Sequence, residues 1–262
     1  MDDEVTEFVE TSLSGQRRVS QVCLLAGKIL LENGAETYRV EDTMIRIAAA
    51  LGAPGAQSFV TPTGIVFSLD SLDSATSLMR INERSTDLRK VTAANDISRR
   101  IGSGELSAEE AYERLLRLDA STERYPLGFK ALIAAVASGC FLVMFDGAWR
   151  DFLAAMLCGG AGYAASSLLP RYVPIKLFSE FAAALAVGAL ACLLVRAGGG
   201  QDLDKIVIGS IMPLVPGVLI TNAVRDLMAG HFVSGVSKGA EACLTAFAIG
   251  AGIALVLSVL GG

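Results

Sequence analysis

The residues whose types and spacing suggest chemistry lie between Gly209 and Gly235. An apolar run from Gly209 to Ile220 carries Pro213, Pro216 and Gly217 in its middle. It ends in a polar cluster of Thr221, Asn222, Arg225 and Asp226. Proline has no N–H and interrupts the helical ladder. In a helix apolar enough for a membrane, such a break frees carbonyls and gathers polarity at membrane depth. That is tolerated only inside protein or along a water-filled path. Thr221 and Arg225 are four residues apart and share a helix face, and Asn222 and Asp226 make an adjacent pair. Arg225 can fork onto a carboxylate, which a lysine cannot do. The chemistry suggested is that of a polar path at membrane depth, with the break at Pro213 and Pro216 beside the cluster of Thr221, Asn222, Arg225 and Asp226. The bland alternative is a helix end closed by an ordinary Arg/Asp pair; the break directly upstream speaks against it.

Two carboxylates, Glu180 and Glu241, fall inside other apolar runs. A charge at bilayer depth costs several kcal/mol by most scales, so such residues usually face a cavity or a partner. They are candidates for a functional or pairing role; the alternative is that they snorkel to the surface or sit at the edge of a span. Lys238, three residues before Glu241, can pair with it on one helix face. Other chemistries find little support. His231 is the sole histidine and is expected as a solvated loop side chain. Ser58, Thr61 and Thr63 have no nearby base, and Gly159-Gly-Ala-Gly162 lies within an apolar run, so it reads poorly as a phosphate cradle. Asp70, Asp73, Glu83 and Asp87 lack the spacing of a calcium loop. The five cysteines are widely spaced without Cys-x-x-Cys, which suits small buried hydrophobes better than a metal site or disulfide framework. No catalytic residue, metal or cofactor is expected.

The elements that must position these residues come in two materials. Residues 1–125 hold 14 Lys/Arg and 20 Asp/Glu, a net of −6, and residues 126–262 hold 8 and 7, a net of +1. The change near Tyr125-Pro126 divides the chain into an acidic, soluble α+β domain (1–125) and a membrane domain (126–262). The acidic balance and the lack of a basic stripe with interleaved aromatics argue against nucleic acid as a partner. In the first part, residues 1 to about 14 are expected to fray. Apolar spacing predicts helices from Arg17 to Asn33 (Val19, Val22, Cys23, Ala26, Ile29 and Leu30 inward), from Glu36 to Leu51 and from Asp87 to Ile101, the last with Leu88, Val91, Ala94, Ile97 and Ile101 inward. Ser107-Ala-Glu-Glu110 is a capping box opening another helix to about Leu118. Ser58 to Leu69 reads as a strand bent or bulged at Pro62 and Gly64, with Thr76 to Ile81 as its partner.

A membrane crossing needs about 20 mostly apolar residues. Five are expected, at about 129–145, 152–169, 175–195, 206–224 and 236–260. The acidic start Met1-Asp-Asp-Glu does not read as a signal peptide. If the N-terminal domain is cytoplasmic, the inner flanks hold Arg124, Lys130, Arg171, Lys176, Arg225 and Lys238, and the outer flanks hold Arg150, Arg196 and Lys205 among four aspartates. That modest bias favours the domain inside. Small residues four apart (Ala155 and Gly159, Gly188 and Cys192, Gly235 and Gly239) suit close helix packing.

Two motifs then point to a family. One is Leu25-Ala-Gly-Lys-Ile-Leu-Leu-Glu-Asn-Gly-Ala-Glu-Thr-Tyr-Arg-Val-Glu-Asp42, followed by Val60-Thr-Pro-Thr-Gly-Ile65. The other is Met212-Pro-Leu-Val-Pro-Gly217, running into Thr221-Asn-Ala-Val-Arg-Asp-Leu-Met-Ala-Gly230 and Ser234-Gly235. Together they resemble the threonine/serine exporter (ThrE) family, particularly its shorter succinate-exporter-subunit form of the YjjP type. The resemblance covers about Ser20 to Leu260. It implies a cytoplasmic N-terminal domain, the bacterial inner membrane and export of a small metabolite, threonine, serine or a succinate-like dicarboxylate. It also implies a second small membrane subunit, because longer members carry a further block of about five spans. By motif, the positions that matter are Glu36, Tyr38 and Arg39, with Pro213, Pro216, Gly217, Asn222, Arg225 and Asp226. Without a nucleotide-binding motif, coupling to an ion gradient is the natural reading. The expected partners are the lipid bilayer and the second small membrane subunit, a homo-oligomer or both; a membrane-anchored hydrolase and a regulatory scaffold acting through the N-terminal domain are the alternatives.

Overall fold

A computed structural model describes residues 2–69, 76–122 and 125–260, with side chains from residue 15 onward. Asp70, Asp73 and Arg124, weighed above, lie outside these. The chain forms two compact units, one of residues 1–122 with 218–239 and the other of residues 123–217 with 240–262.

The first unit holds helices α1 (Asp2–Glu32), α2 (Thr37–Ala50), α3 (Leu88–Gly102) and α4 (Ala108–Asp119) around a three-stranded antiparallel sheet of β1 (Gln57–Thr61), β2 (Gly64–Ser68) and β3 (Ser77–Arg80). Its core is what the apolar spacing dictates. Val22, Cys23, Ala26, Ile29 and Leu30 of α1 meet Val40, Met44 and Ile47 of α2, Val91, Ala94 and Ile101 of α3, and Ala111 and Leu115 of α4. Burial pushes the Cys23 thiol up to about 12, so it is an inert apolar side chain. Strand alternation turns Val60, Ile65 and Phe67 to the same core. Ser107 and Glu110 close the capping box reciprocally.

Three expectations need correction. The chain is helical from Asp2 rather than frayed. Leu88 is exposed, because it is the first residue after the Asp87 N-cap and precedes the face that α3 buries. The segment around Pro62 is a hairpin rather than one bent strand. Thr61 pairs with Gly64, so Pro62-Thr63 is the two-residue turn. Proline has no N–H to give a ladder, and a turn asks for none.

The second unit contains α5 (Leu127–Met144), α6 (Phe152–Leu168), α7 (Lys176–Arg196) and α8 (Leu203–Ile211). Helix α9 (Gly217–Met228) lies in the first unit from Val218 on. Helix α10 (Phe232–Leu260) belongs to the first unit up to Gly239 and to the second from Ala240. Among the described residues, four stretches are long and apolar enough to cross a membrane: 127–144, 149–171, 176–196 and 232–260. The bent pair 203–214 and 217–228 qualifies as a fifth, broken crossing or a re-entrant loop. Large apolar side chains remain exposed along these helices, among them Leu132, Ile133, Leu153, Leu193, Phe247 and Val259. Helices apolar all round that leave such surface uncovered belong in lipid.

The inner faces of the second unit are close-packed. Gly209 abuts the backbone of α5, where an added Cβ would sit 2.9 Å from the Leu142 nitrogen. Ser210 donates to the Ala155 carbonyl of α6. At one end, buried Asp151 accepts from the Gln201 and Asp202 amides, and Lys205 donates to the Phe145 carbonyl. The 145–151 and 200–205 connections are thereby tied together.

Candidate functional site

The two motifs meet in the first unit, although they lie nearly 190 residues apart in sequence. Gly34 makes this possible. Its positive φ of 94° ends α1, and the Ala35 amide returns to the Leu30 carbonyl at 3.0 Å, the wide closing bond of a glycine-capped helix end. The chain turns through Ala35 and Glu36 into α2. Glu36 holds the N-cap position without capping the helix through its side chain.

Asp226 supplies that cap from α9. Its Oδ1 accepts the Thr37 amide at 2.9 Å and its Oδ2 accepts the Thr37 hydroxyl at 3.0 Å. Lys238 of α10 donates to Asp226 Oδ2 at 2.7 Å and to the Thr37 hydroxyl at 3.0 Å. Asp226 is fully buried and Lys238 nearly so. A buried carboxylate is tolerable when an opposite charge and donors meet it on every side, as here. It also sits where the α2 dipole favours negative charge. One turn along α9, the Asn222 amide donates to the Gly34 carbonyl at 2.8 Å.

A second cluster adjoins this network. Glu36 is buried, and its two oxygens go to different arginines. Oε1 accepts from Arg225 at 2.5 Å and Oε2 from Arg39 at 3.3 Å. Burial pushes the Glu36 carboxyl up. Its own backbone amide and the two guanidiniums outweigh that and hold it below its ordinary value. Tyr38 is half-buried between these residues in sequence, and Thr221 is exposed on α9. His231 sits at the C-terminus of α9, its amide on the Asp226 carbonyl, and its ring lies 3.7 Å from Glu41. Glu41 also accepts the Val60 amide at 2.7 Å. Burial nevertheless leaves its carboxyl raised.

The other predicted residues lie in the second unit. Pro216 explains the break locally: the residue before a proline is driven out of the helical region, and Val215 is extended at ψ 131°. Pro213 denies the Gly209 carbonyl its helical donor. The sequence expectation for Lys238 is corrected: it pairs with Asp226, and Glu241 pairs instead with Lys176 at 2.9 Å. Glu180 keeps one buried carboxylate oxygen that meets no hydrogen-bond donor among the described residues, and the Thr245 hydroxyl is in the same position. Sequence reasoning missed Thr37 and Lys238 as members of the site. Thr37 stood within the first motif, directly after Glu36; nothing local distinguished Lys238 from an ordinary i, i+3 partner of Glu241. Among the described residues, no cluster of three or more His, Cys, Asp or Glu side chains is placed to hold a metal ion.

Apolar helices, one of them broken at Pro216, together with a polar network in which helix ends meet a buried loop, define a multi-pass membrane protein. The chain belongs to the family described as the putative threonine/serine exporter, whose model matches residues 21–260. It is 25% identical over 248 residues to the probable succinate transporter subunit YjjP of Escherichia coli, covering 94% of this chain and 96% of that protein. The protein of the same name from Klebsiella aerogenes is 23% identical over 255 residues, covering 97% of this chain and 98% of the relative. The probable threonine/serine exporter of Mycobacterium tuberculosis is 24% identical over 247 residues, 92% of this chain but only 46% of that protein. No solved structure matches. The family and these relatives are named as transporters, not enzymes.

Proposed function

We propose that this chain is an inner-membrane exporter subunit for small carboxylate-bearing metabolites, a succinate-like dicarboxylate or an amino acid such as threonine or serine. It works with a second small membrane subunit and draws on an ion gradient. The observation that supports this reading is the similarity to two relatives named as probable succinate transporter subunits, across 94% and 97% of this chain, within a family described as a putative threonine/serine exporter. In this reading residues 1–125 form a cytoplasmic domain and residues 126–262 the membrane domain.

The residue roles follow the geometry. Arg225 is half-exposed and already holds a carboxylate, that of Glu36, so it is suited to a substrate carboxylate. Asn222 and Asp226 are turned inward, onto the 34–37 loop, and serve to position Arg225 rather than to touch substrate. Glu180, with its unmatched buried oxygen, is the better candidate for proton coupling, because Glu241 is occupied by Lys176. Pro213, Pro216 and Gly217 keep the crossing broken, so that polar backbone lines the path.

Expression with and without a candidate second small membrane subunit, in cells loaded with a panel of small acids and amino acids, tests the proposal. Faster release of one class of carboxylate, requiring both proteins, is expected. Release unchanged by the pair across the whole panel would overturn it.

A further inference from the structure

The arrangement around Glu36 carries a narrower inference, one that rests on the export reading. Two guanidiniums repel each other when placed close together, yet Arg39 and Arg225 are held side by side because each binds one oxygen of the same buried carboxylate. Their hydrogen-bonding nitrogens are therefore within about 8 Å of each other. They come from different elements, α2 and α9, so the pairing exists only when the two motifs are assembled. Glu36 is buried, but the two arginine side chains are 50% and 55% exposed. A guanidinium has five N–H donors in a fixed fork, and each gives Glu36 only one. Nearby carboxylates are engaged elsewhere: Asp226 with Lys238 and Thr37, Asp42 with Arg46, and Glu41 with the Val60 amide beside His231. The trio of Arg39, Glu36 and Arg225 thus presents a net single positive charge, carried on two exposed forks with a fixed spacing.

We propose that Arg39 and Arg225 together form a binding site for a small dicarboxylate dianion, one carboxylate on each guanidinium, with Glu36 as the buried spacer that sets their separation. A monocarboxylate engages only one fork. A zwitterionic amino acid does the same, and its ammonium group meets a site of net positive charge in which the only carboxylate of the trio, Glu36, is buried. The site therefore selects dicarboxylates over the amino acids that the family's description names.

The test uses the full-length chain in neutral detergent, together with its partner subunit if export requires one. Succinate, propionate, threonine and inorganic phosphate are titrated at low salt, and efflux kinetics are measured in parallel. Succinate is expected to bind about tenfold more tightly than propionate or threonine, since a second tethered contact adds avidity. Arg39→Gln and Arg225→Gln are each expected to abolish that preference and to raise the succinate KM about tenfold with kcat changed less than about twofold, the signature of lost binding. Arg39→Lys keeps the charge and serves if the glutamine variants melt early. It loses the fork, and the preference for succinate over propionate should fall about threefold or more. A folded Arg39→Gln or Arg39→Lys protein with an unchanged preference overturns the proposal and leaves the export reading standing. Phosphate binding as tightly as succinate also overturns it, because the pair is then a general anion patch. If the wild type exports nothing from the panel, the export reading falls, while the titrations still decide whether the dicarboxylate site exists.

Discussion

Lys238 and Asp226 form a buried ion pair shared with Thr37. Removing one member of such a pair leaves an uncompensated buried charge and costs about 3–5 kcal/mol, whereas replacing both with apolar groups is often nearly neutral. Lys238→Met and Asp226→Leu should each lower the melting temperature sharply, and the double variant should recover most of the loss. Additive losses in the double variant would mean that the two do not act as a pair. The neighbouring glutamates make opposite contributions with pH. Glu36 has a lowered carboxyl, so its stabilisation is present above its ordinary value and is lost as pH falls through its lowered native value. Glu41 has a raised carboxyl. Its native form binds the proton more tightly, so its contribution worsens as pH rises from the ordinary value through the raised one. Melting curves between pH 3 and 7, roughly the carboxylate range, should therefore lose acid sensitivity in Glu36→Gln. In Glu41→Gln they should lose a destabilisation that grows with pH. The same slope in both variants as in the wild type would contradict these assignments.

At the scale of elements, the decisive feature is the break between α8 and α9. Pro216 forces Val215 out of the helix, and α9 restarts at Gly217. Pro216→Ala allows a continuous helix, and alanine has the higher helix propensity by about 3 kcal/mol. Export should fall while expression and melting temperature hold or rise. Full export from Pro216→Ala would remove the break from the mechanism. Packing between α9 and α10 is equally specific. A Cβ at Gly235 would lie 2.5 Å from Leu227 and 3.0 Å from the Ala223 carbonyl. Gly235→Val should therefore destabilise by about 1–3 kcal/mol, as overpacking does, read as a drop in melting temperature.

Much at this scale was legible in the sequence. The spans begin and end within a few residues of their expected places because a bilayer imposes a length on apolar runs. The core faces of α1 and α2 followed from helical spacing, and the break followed from two prolines. What the sequence hid was pairing at a distance. Lys238 has an acceptable partner three residues away in Glu241, and only the fold reveals that Asp226 and Lys176 divide these charges differently. The same holds for the candidate site. Arg225 and Asp226 were visible as a polar pair on one helix, but they face different partners: Asp226 is buried under Thr37, and Arg225 is half-exposed on Glu36.

For the whole molecule, the account joins two facts. The first motif is locked onto the end of the broken crossing by Asp226, Lys238 and Asn222. The chain is similar to relatives named as transporter subunits. On the proposed reading, Arg39 and Arg225 bind substrate and another subunit completes the path. The most direct measurement is efflux of labelled succinate from proteoliposomes containing this chain, its candidate partner, or both, with and without an imposed proton gradient. The account predicts saturable efflux only when both are present, stimulated by the gradient and, at succinate well below KM, cut about tenfold in Arg225→Ala. Efflux by the chain alone, or undiminished efflux by Arg225→Ala with its partner, would contradict it.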